Sequence, residues 1–139
     1  MFIIPLCRQG ITLSELKLHG ENVLQRMREY IVGHPQAYQL RRHGSNMIGI
    51  WCHAVEFAKA EGLHGLFSGM IISEMSEAEE NGIATTQDES RSANRTMFCQ
   101  LRKLIEEDTP WHEIPTRMKE MDNEHTTLSE FNYNNFYYL

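Results

Sequence analysis

Proline is scarce in this chain, four in 139 residues, and so is the alternation of apolar and polar residues that marks half-buried strands. Long hydrophobic runs are missing as well, with no stretch near the roughly 20 apolar residues that a membrane-spanning helix needs. Cysteine is limited to Cys7, Cys52 and Cys99, an odd number in no paired C-x-x-C spacing, which argues against a disulfide framework and for a reducing compartment. The opening MFIIPLC has no basic n-region, and its apolar run is shorter than the roughly 7 to 15 residues of a secretion signal, so it reads as a mature N-terminus. Together these absences predict a cytoplasmic protein without a membrane partner. No glycine-rich phosphate loop, G-x-S-x-G elbow or H-E-x-x-H pair occurs, and the expectation is a protein without catalytic residues, metal or cofactor.

What is present is ordinary globular material. A hydrophobic fraction of 41% and a charged fraction of 23% are enough for one domain to bury roughly two thirds of the surface its unfolded chain exposes. The net charge of −6 is unevenly distributed: residues 1–60 hold seven Lys/Arg against four Glu (+3), and residues 61–139 hold six against fifteen acids (−9). Such a division can steer a charged partner, or simply keep a helical surface soluble.

The punctuation along the chain is helical. Thr12 with Glu15, Thr86 with Glu89 and Thr127 with Glu130 have capping-box spacing, and apolar residues follow at intervals of three and four. The first box leads a helix through Ile31, stopped by Gly33 and Pro35. A short segment follows from Pro35 to His43. Ser45 then caps a run with Met47, Ile48, Trp51, Ala54, Val55 and Ala58 on one face, closing at Gly62, and in the next segment Leu66, Phe67, Met70, Ile71 and Met75 keep the helical period up to a stop at Asn81 and Gly82. The helix after Thr86 turns Ala93, Met97, Leu101, Leu104 and Ile105 inward and Arg91, Arg95, Arg102 and Lys103 outward. Pro115 opens a shorter one through Met118 and Met121. Only MFIIPLC and FNYNNFYYL have strand character. The expectation is an all-α, compact single-domain bundle of five to seven short-to-medium helices, with residues 1–130 as the helical domain and 131–139 as an aromatic tail packing on it or on a partner.

That tail carries five rings in nine residues: Phe131, Tyr133, Phe136, Tyr137 and Tyr138. Rings of this kind cover a core or form an interface, where tyrosine is enriched and asparagine supplies rim hydrogen bonds. With Trp111 and the acidic Glu74, Glu77, Glu79 and Glu80, they make the candidate partner-binding set. The function this predicts is stoichiometric binding to a larger protein or protein complex, as an adaptor, inhibitor or regulator. By size and composition it would suit a nucleic-acid-handling machine and a phage or mobile-element origin. Self-packing of the tails would give a homodimer.

An alternative is a small regulator that binds nucleic acid through a basic face of Arg26, Arg28, Arg41 and Arg42. The helix-turn-helix resemblance of residues 54–73 is poor, because GLFSGMIISEM offers no Arg, Lys, Asn or Gln to read base edges. A further alternative, a metal-dependent hydrolase, would rest on Glu61 with His64 and Asp122 with His125, spaced as ligands on facing helices, but Gly62 interrupts the first pair. Cys52 beside His53 forms no nucleophile–base dyad by itself, since adjacent helical side chains point about 100° apart.

Overall fold

Two apolar stretches that fit the helical period, MIGIW and GLFSG, form strands instead. The computed structural model describes residues 2–3, 34–43 and 47–139. Along the chain its elements are β1 (Phe2–Ile3), α1 (His34–Leu40) continued by a 3-10 turn (Arg41–His43), β2 (Ile48–Gly49), α2 (Ala54–Glu61), β3 (Leu66–Ser68), α3 (Met75–Glu80), α4 (Gln87–Glu106), α5 (Ile114–Glu120), α6 (Thr127–Tyr133) and β4 (Phe136–Tyr138). The helix expected from Thr12 to Ile31 lies outside the described residues.

The all-α expectation is therefore corrected: the protein is mostly helical, but it is built around a four-stranded mixed sheet of order β1-β2-β3-β4. β1, β2 and β3 run parallel, and β4 is antiparallel to β3. The physical reason lies in burial. Strands covered on both faces read as continuous apolar runs rather than alternating ones, and two or three residues are too few to display a period. Ile48, Leu66 and Phe67 are indeed fully buried.

Register distributes the sheet side chains between two cores. Ile48, Leu66 and Phe136 face Met97, Leu101 and Leu104 of α4, Ile114 and Met118 of α5 and Tyr133 of α6. Phe67 faces the other way, toward Leu40 of α1, Ala54, Val55 and Ala58 of α2, and Leu63. A third cluster joins Ile72, Ala78 of α3, Ile83, Ala93 of α4 and Leu128 of α6. Helices thus cover both faces, as parallel strands require.

Two glycines permit the close approach of the strands. Gly49 pairs with Phe67, and a Cβ there would stand 2.7 Å from the Phe67 ring and 2.6 Å from that of Trp51. Gly65 has φ +142°, and its Cβ would fall 2.0 Å from Met47 O. The backbone at this point bridges two strands: Gly65 N donates to Leu139 O (3.1 Å), Leu139 N returns a bond to Gly65 O (2.9 Å), and Leu66 N donates to Met47 O (2.9 Å). Past the end of the β2–β3 ladder, the buried Ser68 hydroxyl acts as a substitute peptide, accepting from Trp51 N (2.9 Å) and donating to Trp51 O (2.8 Å).

α4 starts at the Thr86 cap, where Thr86 Oγ1 accepts from Glu89 N and Glu89 accepts from Thr86 N. α6 is capped one residue earlier than expected, by Thr126 with Ser129 rather than Thr127 with Glu130. The buried Asp122 explains the shift: Ser129 Oγ donates to its Oδ2 (3.0 Å), and its Oδ1 accepts from Glu124 N (3.1 Å) and His125 N (3.2 Å), which holds Ser129 inward. Among the described residues no helix is long and apolar enough to cross a membrane.

Candidate partner-binding surface

The aromatic segment is divided by the fold. Its first half lies in α6, which presents Tyr133 to the sheet core and leaves Phe131 partly buried against the cluster containing Ala78 and Leu128. Asn132, between them, is fully buried and works as a backbone clasp. Its Oδ1 accepts from Ile72 N (2.8 Å), and its Nδ2 donates to Ile72 O (3.1 Å) and to Asn94 Oδ1 (2.8 Å); Asn94 Nδ2 donates to the same Ile72 carbonyl (2.8 Å). An asparagine amide has the donor–acceptor geometry of a peptide, so it pairs with Ile72 as the backbone of a neighbouring strand would. The Tyr133 hydroxyl donates to Gln100 Oε1, and Gln100 Nε2 donates to Met121 O (3.1 Å). Burial pushes that hydroxyl up to about 12, with the charges of Asp122 and Glu124 acting in the same direction.

The second half is β4, where period two decides which rings meet solvent. Phe136 is buried against α5, whereas Tyr137 (39% exposed) and Tyr138 (41% exposed) emerge on opposite faces of the sheet edge, opposite Phe67 and Leu66 respectively. Tyr138 meets His112 edge-on, with ring centroids 6.2 Å apart. Its neighbour Trp111 packs partly buried on the same core that holds Phe136. Trp111, His112 and Tyr138 therefore form one aromatic corner, and His112 is the member that no sequence pattern singles out. Exposed Glu113 stands beside His112, with carboxylate and imidazole 3.7 Å apart, and Glu106, Glu107 and Asp108 end α4 nearby in the chain.

The four α3 acids lie elsewhere. Their helix packs through Ala78 near Ala93 on α4, whereas the aromatic corner packs beside Ile105, twelve residues and roughly 18 Å farther along the same helix. Phe131 is the one ring of the aromatic segment that shares the α3 cluster. Glu77 also has a structural task, its Oε2 accepting from Ser73 N (2.9 Å), Ser73 Oγ (3.1 Å) and Glu74 N (3.1 Å). Glu74 is the half-buried N-cap of α3, and Glu79 and Glu80 are exposed.

No family model, curated protein or solved structure matches this chain.

The other candidate residues are placed as follows. Arg26 and Arg28 lie outside the described residues. Arg41 Nη1 donates to the carbonyl (2.9 Å) and the carboxylate (3.2 Å) of Glu61, while Arg42 is exposed. Cys52 directs its thiol at Ile71 O (3.8 Å), and the exposed His53 imidazole lies 3.8 Å from Glu56, so the two neighbours serve different partners. Asp122 is occupied by its own loop, as described above. Among the described residues no three His, Cys, Asp or Glu side chains converge as a metal cluster would.

Proposed function

We propose that this protein acts by stoichiometric, non-catalytic binding to a larger protein, as an adaptor or inhibitor, and that the corner formed by Trp111, His112 and Tyr138 is its principal contact. The observation that supports this reading is Tyr138: a large ring left 41% exposed and held against His112 by a strand whose side chain two residues earlier, Phe136, is anchored in the core. A rigid, half-exposed aromatic seated on a packed base is what binding hot spots are made of, because little rotamer entropy remains to be lost on association. Acids around the corner favour a partner with a basic rim, and such charges act chiefly on the rate of encounter. The nucleic-acid alternative draws less support, since Arg41 is already paired with Glu61.

The test is capture from native-host lysate by the tagged protein, with and without nuclease, compared with an H112A/Y138A variant whose thermal unfolding is checked first. One protein retained at 1:1 stoichiometry after nuclease, and lost with the variant, is the expected result. Retention of nothing, or equal retention by the variant, would defeat the proposal. Recovery of nucleic acid would move the assignment to the basic face, and loss of a homodimer would assign the corner to self-association.

A further inference from the structure

A second surface, at the other end of α4, has the features of a ligand groove. It is an open groove of about 700 Å³ between the outer face of α4, which supplies Arg91, Arg95 and Phe98, and the segment entering α3, which supplies Glu74 and Met75. Its two walls are fixed to one another. Asn94, on its floor, donates to Ile72 O, and Glu77 binds the backbone of Ser73 and Glu74 immediately after it. The backbone walls are thus held in place by hydrogen bonds within the fold, so that binding has chiefly the arginine side chains to order.

The arginines are what the fold itself does not explain. Farther along α4, Arg102 and Lys103 each face a glutamate one turn on, at 2.7 Å and 3.8 Å. Arg91 and Arg95 instead face one another at i and i+4, a like-charge spacing that works against the helix, and among the described residues neither has a carboxylate partner. Two guanidinium groups without an ion-pair partner among the described residues, beside a 37% exposed Phe98, form a site that attracts carboxylates locally.

We propose that this groove binds an extended acidic segment of a partner protein, with the pattern acid-x-acid-x-apolar. The spacing follows from geometry. Arg91 and Arg95 are about 6 Å apart along the helix axis, and side chains two apart on an extended peptide are about 6.7 Å apart on one face. One carboxylate then meets each guanidinium, and the next side chain on that face reaches Phe98 and Met75. The net charge of −6 disfavours a long polyanion more than a peptide carrying two acids, which separates that peptide from a nucleic-acid strand. This surface is independent of the aromatic corner, and the proposal stands or falls without it.

The experiment is an array of immobilised peptides with Asp or Glu at two positions separated by one randomised residue and followed, after a second randomised residue, by Leu or Phe, beside a matched array carrying Asn or Gln. Fluorescently labelled full-length protein is applied to both. Selective retention by the acidic array is expected, weakening with salt. Solution anisotropy with the best peptide should show on the order of a tenfold loss for R91A or R95A, and no change for R102A/K103A. No retention by any acidic peptide, equal retention by the amide array, or undiminished binding by R91A/R95A would each overturn the proposal. So would tighter binding of a labelled single-stranded oligonucleotide that displaces the peptide.

Discussion

Replacing Asn132 with alanine tests whether the aromatic segment is held by polar geometry as well as by its rings. The substitution removes three hydrogen bonds and leaves two buried groups without partners, the Ile72 N–H and Asn94 Oδ1, while Ile72 O keeps its bond from Asn94 Nδ2. A buried group left unsatisfied costs about 1–3 kcal/mol, so the expected loss is roughly 2–6 kcal/mol. Against a typical total of about 5–15 kcal/mol, this is a large fraction of the stability of the fold. Urea unfolding followed by circular dichroism and tryptophan fluorescence gives the change in midpoint, and an unchanged slope would show that the unfolded state is unaffected. The control is Asn134→Ala. Asn134 is two residues away and exposed, and its amide donates to Glu130 O, so its loss should stay within about 0.5 kcal/mol. If N132A and N134A lose the same small amount, the clasp contributes no more than a surface amide and the reasoning fails.

Two further predictions rest on the sheet and its neighbours. Gly65→Ala should cost at least about 2 kcal/mol, since its backbone conformation and its contact with Met47 O both reject a side chain; Gly62→Ala, also at positive φ but facing open space, should cost only about 1 kcal/mol, and equal urea midpoints for the two would refute the argument. Tyr133 carries a proton that folding holds up to about 12, above the ordinary tyrosine value near 10. Its contribution to stability is therefore fully present below about pH 10 and lost as pH rises through about 12. Ultraviolet titration should show one late-ionising tyrosine fewer in Tyr133→Phe than in the wild type, and an unchanged late part of the curve would contradict this.

The helices were legible where periodicity ran long enough to be seen. Thr86 and Glu89 announced α4, and its inward residues Ala93, Met97, Leu101 and Leu104 are buried as their spacing implies. Pro115 marked α5, and Asn81 with Gly82 marked the end of α3. β1 and β4 fall in the two segments with strand character, MFIIPLC and FNYNNFYYL. β2 and β3 were hidden, because Ile48–Gly49 and Leu66–Ser68 lie inside apolar stretches whose spacing also suits a helix. What decides them is pairing with distant strands, a tertiary effect that local pattern does not contain. The same holds for the surfaces. Trp111 and Tyr138 stood out by residue type, but only the β3–β4 pairing brings Tyr138 to His112. Arg91 and Arg95 read as an ordinary outer face, and the available signal was their like-charge spacing with the aromatic Phe98 beyond them.

The pairing of β3 with β4 also bears on how the protein acquires its structure in time. Phe67 meets Tyr137, a separation of seventy residues, so the sheet closes only once residues 136–138 have been synthesised and have found their place. Until then β3 presents an open apolar edge on the ribosome-bound chain, and loop closure over that distance must precede the contacts that reward it. Slow folding should follow, with a vulnerable period in which the unpaired strand is open to chaperones or to aggregation.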